Sequence, residues 1–279
     1  MTRHSYLRWP VLAGLMVLVG AGFAVLPAPT AQAVVGGQKT STAAAPWAVA
    51  INLWRQTDTY PRSGQFCGGT LVTPTKVVTA AHCVVDEAPT DLGAVAGRTD
   101  LRRHEGRMRK VTKVWIHPRF GRHLENDVAV LTLDKPMPRR YTPLPIATAA
   151  DTGLYRPGTG ARVYGWGLLD YENREANALR AANLRVLPDR TCQRLNPGGD
   201  FDPSMHVCAN NPVTGAHHAE GDSGGPLVAG GRLIGIVSWL ANSDAATPTP
   251  GVYTRVAAFS REIATQLGRG RSAGGVREE

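Results

Sequence analysis

An all-β fold is predicted for this chain of 279 residues, and three observations predict it. Short apolar runs rich in Val, Ile, Thr and Trp recur along the chain, punctuated by Gly and Pro. Helical periodicity shows in one stretch, Val256 to Leu267, where Val256, Phe259, Ile263 and Leu267 recur at near-helical spacing. Leu133 to Pro145 holds four prolines and few strand formers, which reads as the linker between two halves. No internal repeat occurs at a fixed period.

In chain order, residues 1–33 read as a secretory leader. Arg3 and Arg8 give a positive head, Val11 to Leu26 is an apolar run broken only by glycines, and Ala31-Gln32-Ala33 is a small-x-small cleavage site. The run is short for a membrane span, no later stretch is long enough to be one, and no Arg-Arg pair marks a twin-arginine route. The mature chain then begins at Val34 and has 246 residues, enough for one large domain or two small ones. Its strands are expected at Trp47 to Leu53, Gly69 to Val72, Lys76 to Ala81, Val111 to Ile116 and Val128 to Leu133. In the second half they are expected at Ala161 to Trp166, Ala182 to Leu187, Pro226 to Val228, Leu233 to Trp239 and Val252 to Val256. Residues 268–279 are Gly/Arg-rich and read as a disordered tail.

Losing Arg3 and Arg8 lowers the formal charge from +9 to +7. Arg102, Arg103, Arg107, Arg109 and Lys110 cluster, but no aromatic residues interleave with them as on a base-stacking platform, so no nucleic-acid partner is expected. Four cysteines in an exported chain favour disulfides. They allow three pairings; joining neighbours would close two loops, each worth about 3 kcal/mol. No Cys-x-x-Cys or clustered Cys/His spacing suggests a metal site.

Gly221-Asp222-Ser223-Gly224-Gly225-Pro226 carries the chemistry. As an isolated motif it is a surface turn, since Gly, Asp, Ser and Pro are turn residues. As a functional one it presents the Ser223 hydroxyl beside the N–H groups of Gly221 and Ser223, the parts needed to attack a carbonyl and hold its oxyanion. It also fits the nucleophile elbow of α/β-hydrolases, but that fold needs a later histidine and a following helix. No histidine follows Ser223, and Pro226 with Gly230-Gly231 argues against the helix. The base therefore lies upstream. His82 ends the apolar run before Cys83, and Asp127 opens a run apolar enough to be buried, where a carboxylate needs a partner. A histidine N–H would satisfy it and fix the tautomer.

The chain resembles the trypsin/chymotrypsin family of serine endopeptidases over almost all of residues 34–267. The resemblance rests on Val34-Val35-Gly36-Gly37, Cys67-Gly68-Gly69, Thr79 to Cys83, Asp127 to Leu131, Gly165-Trp166-Gly167, Gly221 to Pro226, Ser238-Trp239 and Pro250-Gly251-Val252-Tyr253. It implies two six-stranded antiparallel β-barrels, about 34–140 and 141–255, with a C-terminal helix at about 256–267 and the site between the barrels. It implies His82 as base, Asp127 as its orienting carboxylate, Ser223 as nucleophile and Gly221 and Ser223 as oxyanion donors. It pairs Cys67 with Cys83 and Cys192 with Cys208, and the amine of Val34 with Asp222. His217, Ser238, Trp239, Leu240 and Gly251 fall at substrate-binding positions.

The departures are informative. Trypsin-type members place Asp six residues before the nucleophile to bind Arg or Lys; here that position is His217. The residue after Ser238-Trp239 is usually Gly, and here it is Leu240. A third disulfide common in the family has no cysteines here. The stretch matching the calcium loop, Thr99 to Lys110, is mostly basic, so no calcium is expected. The reading is a secreted, extracellular endopeptidase of non-tryptic specificity. It needs no cofactor, acts as a monomer on protein or peptide substrates, can meet a protein inhibitor, and has no membrane contact after leader removal. The alternative is an inactive homologue that serves as a binding module.

Overall fold

The computed structural model of the chain describes residues 34–53, 64–169, 175–196, 200–240 and 250–268. The expected leader lies outside these residues, as does the expected tail after Gly268. Each of the ten expected runs coincides with a strand, and the strands close into two six-stranded antiparallel barrels.

The first barrel contains β2 (Ala48–Leu53), β3 (Gln65–Thr73), β4 (Lys76–Thr79), β5 (Leu92–Ala96), β6 (Arg107–Ile116) and β7 (Ala129–Leu133). They close in the order β2-β3-β4-β7-β6-β5, with β5 returning to β2 through pairs such as Val49 with Ala96. The second contains β8 (Gly160–Gly165), β9 (Arg180–Val186), β10 (His206–Asn210), β11 (Pro226–Ala229), β12 (Arg232–Leu240) and β13 (Gly251–Arg255). Its order is β9-β10-β13-β12-β11-β8, and β8 pairs with β9 to close it.

Strand β2 shows how period 2 builds both a core and a junction. Val49, Ile51 and Leu53 point into the first barrel's core. Ala48 and Ala50 point the other way, where they pack with Tyr164, Trp166, Leu101 and Leu179. The small alanines let large second-barrel side chains come close, so both faces of β2 are buried.

Each end of the described chain packs across onto the far barrel. Strand β1 (Gln38–Lys39) pairs with β9, and Val34 is fully buried in the second core. At the other end, the expected helix is a 3-10 turn, Val256–Phe259, followed by α2 (Ser260–Gln266). Its periodic residues Val256, Phe259 and Ile263 enter the first barrel's core. The proline-rich stretch after β7 does join the two barrels, but it is no free tether. Met137, Tyr141 and Leu144 are buried against the first core, and Leu144 N donates to Leu71 O at 2.8 Å.

Three strands were not expected: β1, β5 and β10. The β5 sequence, Leu-Gly-Ala-Val-Ala, contains weak strand formers and is held by pairing with β2 and β6. Helix α1 (Asp189–Leu195) was also unexpected; it brings Cys192 to Cys208. The disulfides are Cys67–Cys83 and Cys192–Cys208, each with Cα atoms 6.3 Å apart. Among the described residues no helix is long and apolar enough to cross a membrane.

Candidate active site

The first barrel supplies an imidazole and a carboxylate. His82 follows β4 and Asp127 precedes β7, and β4 pairs with β7 as far as Thr79 with Ala129. That register sets the two residues side by side. Asp127 is fully buried and would be costly without partners. Its Oδ1 accepts the His82 backbone N–H at 2.9 Å. Its Oδ2 faces His82 Nδ1 at 2.8 Å and accepts the Ser238 hydroxyl at 2.5 Å. With a carboxylate on Nδ1, the neutral ring carries its proton there and leaves the Nε2 lone pair free. The Asp127 carbonyl also accepts from Thr254 Oγ1 at 2.8 Å, which ties this residue to β13 of the second barrel.

The second barrel supplies the turn around Ser223, and Gly68 holds it in place. Gly68 N donates to Ser223 O at 2.7 Å. A Cβ on Gly68 would fall 2.9 Å from Gly225 Cα, so only glycine permits this backbone approach. Gly68 follows Cys67, whose disulfide ends on Cys83, the neighbour of His82. The His82 imidazole and the Ser223 turn are thus linked by one hydrogen bond and one covalent staple. Nε2 of His82 lies 3.8 Å from Cys83 Sγ. Among the described residues no hydrogen bond joins His82 to the Ser223 hydroxyl. Such contacts are often long without substrate and tighten when it binds.

Two N–H groups of this turn are held outward by the carbonyls behind them. In a trans peptide the N–H points opposite to the preceding C=O. The Glu220 carbonyl accepts Leu168 N at 2.8 Å, and the Asp222 carbonyl accepts Gly225 N at 2.8 Å. The N–H groups of Gly221 and Ser223 therefore face the other way, and neither donates to a protein acceptor among the described residues. Gly221 has φ +85°, a conformation glycine adopts freely, and Gln65 Nε2 donates to its carbonyl at 3.0 Å.

Asp222 points inward. It is fully buried, and its carboxylate accepts Gly167 N at 2.7 Å and Ala219 N at 2.8 Å. Val35 bridges to His217, whose N–H donates to the Val35 carbonyl at 3.1 Å. The chain from Val34 to Val35 thus runs beside the segment that leads to Asp222.

His217 and His218 are both buried. The His217 ring turns to the carbonyl of its neighbour, with Nδ1 at 2.5 Å from His218 O. The His218 ring reaches across to β12, with Nε2 at 3.1 Å from Trp239 O, and forms a T-shaped pair with Tyr253. The His218 ring lies against Gly251: a Cβ on Gly251 would fall 2.4 Å from His218 Cδ2. Burial pushes the His218 imidazole down to about 3, with His217 adding to the effect, and burial also lowers His217. Leu240 ends β12 opposite Gly251 and is half-buried. Ser238, expected at a substrate-binding position, spends its hydroxyl on Asp127.

Sequence reasoning missed Gln65, Thr254 and the role of the Ser238 hydroxyl, because each acts through a contact more than 100 residues away. It did not anticipate the His218 ring beside Gly251, since the direction of a side chain in a loop is not legible without the backbone. As for metals, Cys67, His82 and Cys83 group closely, but both sulfurs are in the disulfide and offer no thiolate.

Comparison with known proteins gives the same picture from outside. A family model described as Trypsin matches residues 34–263. The chain is 39% identical over 239 residues to a trypsin of Saccharopolyspora erythraea, covering 85% of this chain and 99% of that one. It is 34% identical over 232 residues to human kallikrein-14, covering 81% of each. It is 32% identical over 232 residues to trypsin zeta of Drosophila melanogaster, covering 80% of this chain and 82% of that one.

Proposed function

The chain belongs to the trypsin family of serine endopeptidases, and on that premise we propose that it is exported, loses residues 1–33, and cleaves proteins or peptides through Ser223. The observation that carries this is the pair of outward N–H groups, Gly221 and Ser223, together with the partly exposed His82 on the buried Asp127. A donor pair with no acceptor among the described residues is preorganised for an anion that develops during reaction.

In the mechanism, Ser223 Oγ attacks the carbonyl carbon of the scissile peptide as its proton passes to His82 Nε2. The carbonyl oxygen takes the electron pair and lies between the two N–H groups. Asp127 stabilises the imidazolium through Nδ1–H, and Ser238 and the His82 backbone hold that carboxylate. The imidazolium then gives its proton to the departing amine, which leaves an ester on Ser223. Water, deprotonated by His82, attacks the ester, and collapse of that intermediate returns the proton to Ser223. Losing one oxyanion donor costs about 3–4 kcal/mol in comparable enzymes.

The N-terminal amine at Val34 would pair with Asp222 and hold the turn with its donors outward. Signal peptidase, cutting after Ala33, would create that amine directly, because no Arg or Lys lies between Trp9 and Ala33 for a trypsin-like activator. Specificity is non-tryptic, because His217 stands where Lys and Arg would meet a carboxylate. The protein works outside the cell as a monomer, away from membranes, where a protein inhibitor is a compatible partner. An organophosphonate serine probe tests the reading: wild type should label and Ser223→Ala should not. Correctly processed wild type that takes no label would sink it and leave the binding-module reading.

A further inference from the structure

A substrate carbonyl on Ser223 fixes where the neighbouring side chain goes. With the oxygen between the Gly221 and Ser223 N–H groups, the residue on the acyl side enters the gap between two walls. One wall is the segment from His218 to Gly221. The other is the end of β12 at Trp239, with Gly251 of β13 behind it. The His218 imidazole spans this gap. Its Nε2 reaches the Trp239 carbonyl at 3.1 Å, its Cδ2 edge lies against Gly251, and it packs T-shaped with Tyr253 at 5.1 Å between centroids. His218 is 3% exposed, so the ring is packed in and not hanging at the mouth.

We propose that the His218 ring forms the floor of the acyl-side specificity site and restricts that site to small side chains such as those of glycine, alanine and serine. The proposal rests on the peptidase reading above and adds the substrate class to it. An imidazole occupies about the space that a Leu, Phe or Lys side chain would need, and close-packed interiors do not hold both. Gly251 fits the same arrangement, since any side chain there would strike the ring. Among the described residues the floor has no carboxylate for Lys or Arg. Burial also keeps the ring neutral at working pH, which removes the charge that would attract Asp or Glu.

The experiment uses mature protein and a series of fluorogenic peptides that differ only in the residue before the scissile bond. Wild type should cleave after Ala or Ser at least about tenfold faster in kcat/KM than after Leu, Phe, Lys or Arg, the scale on which pockets resolve one or two carbons. His218→Gly should gain about tenfold or more on Leu or Phe while still taking the organophosphonate label. Should glycine prevent folding, His218→Ser opens the same space with a smaller change. Efficient wild-type cleavage after a large or basic residue overturns the proposal, as does a labelled His218 variant with an unchanged profile. Wild type that neither labels nor cleaves overturns the peptidase reading itself, whereas labelled wild type with the wrong profile overturns this inference alone.

Discussion

Replacing Gly68 by alanine tests whether backbone contact between the barrels sets the nucleophile. The new Cβ would lie 2.9 Å from Gly225 Cα, 3.1 Å from Gly225 N and 3.6 Å from Asp222 O. Ordinary carbon contacts are about 3.5–4.0 Å, so the turn must retreat by roughly 0.6–1 Å. No flexible side chain can absorb the change, because the atoms it meets belong to backbone. The hydrogen bond from Gly68 N to Ser223 O lengthens with the same movement. A displacement of about 1 Å in a catalytic group costs about 10²-fold in rate, equivalent to about 2.7 kcal/mol of transition-state stabilisation. Overpacking should lower stability by about 1–3 kcal/mol, so the variant should still fold. The assay is kcat/KM on the best peptide, with the rate of organophosphonate labelling and the thermal midpoint measured on the same sample. Gly160→Ala is the control, since nothing lies within 4 Å of its Cβ, and it should stay within about 0.5 kcal/mol in stability with unchanged kinetics. A folded Gly68→Ala within about threefold of wild type, far from the expected 10², would show that this contact does not position Ser223.

Ser238→Ala removes a donor from a buried carboxylate at 2.5 Å, a charge-assisted bond worth about 1.5–3 kcal/mol; kcat should fall about tenfold or more with little change in KM, and unchanged kinetics would remove Ser238 from the positioning of Asp127. His218 titrates at about 3 in the fold, below the ordinary imidazole value of about 6.5, so the unfolded chain binds more protons between these values and stability must fall as pH drops through that window. The burial-lowered His217 and His206 act in the same direction. Thermal midpoints between about pH 4 and 7 should therefore drop less steeply in His218→Ser, because the ring contributes about 1.4 kcal/mol per unit at most; equal slopes would refute its part. Mature protein carrying an extra Met before Val34 should lose about 10²-fold or more in activity, since breaking one partner of a buried ion pair costs about 3–5 kcal/mol; N-terminal sequencing and active-site labelling check it, and full activity with Met retained would refute the switch.

The sequence alone determined what depends on local pattern. Val- and Ile-rich runs between Gly and Pro marked ten strands, because strand formation there follows from side-chain shape and turn chemistry. The turn at Ser223 was legible because its glycines are unsuited to helix or strand. Asp127 was legible because a carboxylate at the head of Val-Ala-Val-Leu must find a partner. The tertiary structure decided what depends on distance. The strand β5 exists because its neighbours pair with it, and its own residues favour strand only weakly. Ser238, Thr254 and Gln65 reach their partners across the junction of the barrels, at separations no local pattern records. The directions of the His217 and His218 rings were decided by the backbone, which turns one to its neighbour's carbonyl and the other across to Trp239. Adjacent side chains leave an extended chain on opposite faces, and only the packed partners fix which face belongs to the site.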